Sequence, residues 1–185
     1  MIGSVADFRN WCAGRMIEIP EEATNSVLES SLVRATGILE SLLTRRLTPV
    51  SAATHIVTGN GTTILALPDF ISITGITCTN ETLAENTAYV VRPYGESPKY
   101  LLERIDGGVW LTSVRYTVAG TLGYKSVIPT EIIHAAYALV GYDVFNSESN
   151  AIKSISIQGI SVTLNTASEM YDDLKRLLIG HVRTI

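Results

Sequence analysis

Three sets of residues in this chain have the types that do chemistry: the histidines His55, His134 and His181, the adjacent carboxylates Asp172 and Asp173, and the thiols Cys12 and Cys78. Imidazoles bind zinc or carry protons when a second ligand type lies at i+4 or in a CxxC-like pair, and none of the three has one. Two carboxylates share a proton only if they converge on it. Neighbours on a helix point about 100° apart, so Asp172 and Asp173 read as a solvated face. Neither cysteine lies in a Cys–His–Asn pattern, no GxSxG elbow surrounds a serine, and the two thiols have no metal-like spacing. Gly59-Asn60-Gly61 and Gly120-Thr121-Leu122-Gly123 have the glycine content of phosphate loops. Neither is followed by Gly-Lys-Ser/Thr, and neither joins a buried parallel strand to a helix, so both read as turns. The expectation is a protein with no catalytic residues, no metal and no cofactor.

Composition narrows the class. Of the 185 residues, 46% are hydrophobic and 17% charged, against about 25% charged in an average soluble protein. A chain short of surface charge hides surface against partners, or replaces charge with Ser, Thr and Asn; this one is rich in all three. The net charge of −4 and the absence of any basic run beyond Arg45-Arg46 argue against tight nucleic-acid binding, which needs clustered cations. Mild negative charge suits a surface that DNA slides past. No stretch approaches the roughly 18 apolar residues of a membrane span. With no basic–apolar leader and two isolated cysteines, the sequence predicts reduced thiols and synthesis in a cytoplasm. Eight tyrosines are spread along the chain, serving core edges or protein interfaces.

The elements that must carry these residues follow from periodicity. A short helix is predicted over Ser4–Ala13, with Phe8 and Trp11 on one face. Pro20–Leu47 is the strongest helix: Leu28, Leu32, Ala35, Leu39 and Leu42 recur at four-three-four-three spacing, and Pro49 stops the run. Gly37 inside it costs about 1 kcal/mol against alanine, so the helix bends there or another backbone packs close. From Thr54 the pattern is β. His55–Thr58 and Thr62–Leu67 flank Asn60-Gly61, which predicts a tight hairpin. Phe70–Thr79, Ala88–Val91, Tyr100–Ile105, Val109–Leu111 and Val114–Val118 are further strand-like runs, and Asp106-Gly107-Gly108 is a second hairpin signal. Pro129 then starts a helix over Thr130–Phe145, with Ile132, Ala135, Ala136, Leu139 and Val140 on one face. Asn146–Asn150 reads as a polar loop. Alternating residues from Ile152 to Leu164, interrupted at Gly159, predict a hairpin or bent strand. A last helix carries Met170, Tyr171, Leu174, Leu177 and Leu178, and the tail from Gly180 reads as less ordered.

The predicted fold class is therefore α+β: a helical domain with a long N-terminal helix, a central Pro-started helix and a C-terminal helix, into which an antiparallel β unit is inserted. The predicted division is 1–50 with 112–185 as the helical core and 51–111 as the insertion. No βα alternation appears, which excludes a parallel nucleotide-binding sheet.

The run Val114–Val140 contains a strand, then Ala119-Gly120-x-x-Gly123-Tyr124, then Ile128-Pro129-x-x-Ile132-x-x-Ala135. With the leucine-striped first helix and the glycine-bearing element Ile157–Thr163 before the last helix, this order resembles the adaptor (head-completion) proteins of tailed-phage head-to-tail connectors, over most of the chain. The resemblance implies a structural, non-enzymatic virion protein made in the host bacterial cytoplasm and located in the neck. It implies a self-assembled ring, usually twelvefold, docked under the portal protein. That ring would extend the DNA channel without sequence-specific binding and join the capsid to a tail or stopper protein. In the family the C-terminal segment commonly attaches to the portal, which makes Tyr171, Leu174, Leu178 and Val182 the candidate portal or ring contacts. The competing assignment is that these residues pack on the subunit's own core. Two other readings stand beside the adaptor: a tail completion or terminator protein of the same virion, and a small carbohydrate-binding β module using Trp110 and Tyr100 as a sugar platform.

Overall fold

The computed structural model describes residues 1–79, 81–145, 154–157, 160–163 and 167–183. The chain divides into two units, Met1–Thr44 with Ile128–Ile185, and Arg45–Val127.

The first unit is built on helices. Helix α1 spans Val5–Ala13, and the Ser4 side chain caps it by accepting from the Asp7 N–H. Helix α2 spans Asn25–Leu43 and is capped by Thr24, whose hydroxyl accepts from the Val27 N–H at 3.5 Å. It begins five residues after Pro20, because Thr24 has a side-chain acceptor for the orphan N–H groups and Pro20 has none. Thr44, in the left-handed region at φ 54°, ends it. Four of the five predicted stripe residues, Leu28, Leu32, Ala35 and Leu39, are fully or almost fully buried; Leu42 is half-buried and its neighbour Leu43 is the buried one. Gly37 is exposed, and nothing lies within 4 Å of where its Cβ would be, so no close packing explains it. Helix α3, Thr130–Phe145, starts after Pro129 and buries Ile132, Ala135, Ala136 and Val140 against α2. Phe8 and Trp11 of α1 each meet Tyr137 of α3 at 5.7 Å between ring centroids. Strands β7 (Ser154–Ile157) and β8 (Ile160–Thr163) form a separate antiparallel pair, with β7 along α3 and β8 along α4, Ala167–Leu177. The predicted loop Asn146–Asn150 and the interruption at Gly159 lie outside the described residues.

The second unit corrects the predicted fold class. Its strands are β1 (Val50–Thr58), β2 (Ile64–Cys78), β3 (Glu81–Leu83), β4 (Tyr89–Arg92), β5 (Lys99–Arg104) and β6 (Arg115–Leu122). They form one six-stranded sheet of order β1-β6-β2-β5-β4, with β3 on β2 and every ladder antiparallel. This is a sheet core of its own, not a small unit inserted into a helical domain. The difference turns on β6. The sequence presents it as the lead into α3, yet it lies between β1 and β2 and pairs with both. Tyr116, Val118 and Gly120 of β6 are buried while Arg115 is exposed. Trp110, Phe70, Ile76, Leu102, Val118 and Tyr89 are central to the buried cluster.

The Asn60-Gly61 segment also departs from expectation. It does not close a tight hairpin, since β1 and β2 do not pair with each other. The Gly59 N–H donates to Val114 O, the Gly61 N–H to Trp110 O, and the Trp110 N–H to Thr62 O. These bonds draw the segment across residues 110–114 rather than back on β1. A Cβ on Gly59 would sit 2.3 Å from Leu111 O, so the approach needs glycine. Asn60 still supplies turn chemistry, its Oδ1 accepting from the Thr62 N–H at 3.1 Å. β2 runs on through Pro68 because the register shifts between Ala66 and Phe70, which leaves the proline out of the regular ladder.

Candidate assembly surfaces

The four residues singled out near the C-terminus fall into two kinds. Leu174 and Leu178 are 0% and 1% exposed and join Met170 inside the first unit. Tyr171 and Val182 are half-buried. Spacing explains the split: Met170, Leu174 and Leu178 fall four apart on one stripe, and Tyr171 flanks it. Glu169, Asp172, Lys175 and Arg176 lie on the wet side, with Arg176 paired to Asp173 at 3.2 Å. Of the acidic pair only Asp172 lies on a solvated face as expected; Asp173 is half-buried and paired to Arg176. Lys175 and Arg176 in the last turn suit the negative end of the helix. The segment after α4 is tied back where the Arg183 N–H donates to Leu43 O at 3.1 Å. Ile179, 75% exposed in the 3-10 turn Ile179–His181, was not among the expected contacts. Its signal in the sequence is one more apolar residue just past the buried stripe.

Two grooves have lining residues that could hold a ligand. In the first unit a groove of about 540 Å³ lies between the start of α2 and the end of α3, with Arg34 paired to Asp143 on its wall. Ser31 donates its hydroxyl to the same carboxylate. In the second unit a groove of about 790 Å³ is lined by Cys78, Leu83, Arg104, Leu111 and Tyr116 among others. The Arg104 guanidinium there is already engaged: it binds Asp106 and lies over the Trp110 ring at 5.3 Å. The Arg104 hydrogen bond, followed by one from the Gly108 N–H, holds the Asp106 carboxyl down at about 2. In each groove the arginine is thus internally paired, Arg34 with Asp143 and Arg104 with Asp106.

The remaining reactive types are dispersed. The Cys12 thiol is buried, which pushes it up to about 11 and makes it a poor nucleophile. Burial, with Arg15 nearby, pushes His134 down, and its ring lies among Trp11 and Tyr137. His55 is in β1 and His181 follows α4. Among the described residues no group of three His, Cys, Asp or Glu side chains could hold a metal. Trp110 is 0% exposed, its Nε1–H donating to Thr63 O at 3.1 Å and its ring edge-on to Tyr116 at 4.9 Å. This overturns the sugar-platform reading, which needs the indole face in solvent. No helix among the described residues is long and apolar enough to cross a membrane.

A helical unit joined to a six-stranded antiparallel sheet is an α+β architecture with solved counterparts. A chain from the neck of an empty GTA particle, computed with C6 symmetry, matches with a TM-score of 0.55 at 11% identity, covering 100% of this chain and 96% of that one. A chain from the virion of a native gene transfer agent (GTA) particle matches with a TM-score of 0.55 at 15% identity, covering 88% of this chain and 80% of that one. At such identities the likeness is one of fold. No family model matches the chain, and no curated protein matches it.

Proposed function

We propose that this chain is a structural, non-enzymatic protein of a phage-like virion, a head-to-tail connector adaptor that forms a ring under the portal and extends the DNA channel. The observation that carries this reading is the end-to-end likeness of fold to a chain from a particle neck. The order of motifs from β6 through α3 to the last helix supports it independently. A ring of six or twelve copies obeys the C6 symmetry used for that neck, and the twelvefold ring is the form the family resemblance favours. In this reading Leu174 and Leu178 shape the segment from within, while Tyr171, Val182 and Ile179 offer contact surface to the portal or to a neighbouring copy. The net charge of −4 gives DNA little to stick to.

The tail-terminator reading gains one point from the structure, since the sheet is larger than that of a mainly helical adaptor. The neck likeness favours the adaptor. Mixing the purified chain with isolated portal complexes separates the two. The adaptor account expects a stable co-complex on native mass spectrometry with the chain in cyclic stoichiometry. Binding to tail tubes with none to the portal contradicts it.

A further inference from the structure

The two end strands of the order β1-β6-β2-β5-β4 differ in kind. β4 is four residues long, ends in Arg92 and is followed at once by Pro93. Arg92 is tied to Glu103 of β5 at 2.9 Å. A short strand with a charge and a proline is a guarded edge. β1, at the opposite edge, is nine residues long and contains no Asp, Glu, Lys or Arg. Its one irregularity is at the start, where Ala52 has φ 51° and the register shifts between Val50 and Ala53. From Ala53 to Thr58 the ladder to β6 is regular. Among the described residues no strand pairs with the far side of β1, and Thr54, Ile56 and Thr58 are exposed, Ile56 at 62%. An edge of this length and neutrality is a template for strand addition.

The first unit contains a complementary element. β7 and β8 form a two-stranded sheet of four residues each, with no third strand among the described residues. Neither strand contains a charged residue. A pair of strands this short is marginal alone; α3 and α4 lie along it, and its outer strand edges have no third strand among the described residues. Pairing it with β1 would desolvate no charge on either side, which removes the main cost of a buried polar contact.

We infer that the free edge of β1 takes the β7–β8 hairpin of a second copy of this chain, so that the sheets run on from subunit to subunit. The partners lie in different units of the chain, so the contact is heterologous and repeats around a closed ring instead of ending in a dimer. The regular run Ala53–Thr58 is long enough to seat a four-residue strand. This contact rests on the ring reading above and names its seam.

The test is hydrogen exchange on the full chain, alone and in necks isolated from particles, together with the Ile56→Lys variant. Ile56 is exposed, so a lysine there is compatible with the fold and guards the edge. The expected result is new exchange protection on assembly in the peptides of Ala53–Thr58 and of the hairpin together. The variant keeps the wild-type thermal midpoint and loses the ring. A ring that forms without new protection over Ala53–Thr58, or that survives Ile56→Lys, overturns the seam and leaves the ring reading standing. Protection at β1 without the hairpin gives the edge to a strand of another protein and overturns the copy-to-copy contact. A chain present in the neck only as single copies overturns both.

Discussion

Cys12 and Asp69 show how the residues that look reactive serve the fold. Cys12 is 1% exposed, with its thiol pushed from 9.0 up to about 11, mainly by burial. Cys78 is half-buried beside the groove of the second unit. The native protein should therefore give one fast thiol with a small disulfide reagent at pH 8, and two after unfolding. Mass mapping of the label to Cys78 checks this, and native labelling of Cys12 contradicts it. The raised thiol also sets a direction with pH. Its contribution to stability is complete below about pH 9 and is lost as the pH climbs towards 11. Cys12→Ala should flatten that part of the alkaline limb in thermal scans.

Asp69 is buried and bonded to Arg45 at 2.7 Å, and Arg45 lies over the Tyr124 ring at 4.7 Å. Removing the carboxylate breaks the ion pair of a mostly buried guanidinium, so Asp69→Ala should cost about 3–5 kcal/mol in urea unfolding. A loss below about 1 kcal/mol would show that the pair is not structural. Nothing in the sequence singled Asp69 out. Its partner is 24 residues away, and periodicity is blind to pairs across a turn of the fold.

At the scale of elements, helices were legible and strand pairing was not. The leucine stripe of α2 and the Pro-started α3 are written in local spacing, which is where helix signals lie. Local pattern places β6 with α3, because a strand's partners are set by distant segments. Asn60-Gly61 predicts a hairpin the fold does not make, because turn residues report backbone angles and not which strand comes back. The candidate contact helix shows the same limit. Met170, Leu174 and Leu178 could be seen as a stripe, but not whether the stripe faced inward.

Two substitutions test this level. Gly37→Ala should stabilise the protein by about 1 kcal/mol, because the helix interior has open space there and gains the better helix former. Destabilisation would show that another surface needs the bare backbone. Leu174→Ala should cost about 2–5 kcal/mol through the cavity it leaves. Tyr171→Ala and Val182→Ala, at half-buried sites, should cost less than Leu174→Ala and weaken assembly more than folding. Thermal melts paired with ring formation on native mass spectrometry separate the two effects. Equal loss of stability at all three positions contradicts the division into packing and contact residues.

At the scale of the whole molecule, a helical unit and a sheet unit share one chain with few charges and no clustered chemistry among the described residues. Such a molecule has two different surfaces to offer its neighbours, which is what a head-to-tail ring requires. The most direct measurement is cryo-electron microscopy of the source particle focused on its neck. The account predicts a closed ring of this chain beneath the portal, with six- or twelvefold order and the segment around Tyr171 and Val182 at a contact. Density for the chain only on the tail, or its absence from purified particles, would contradict it.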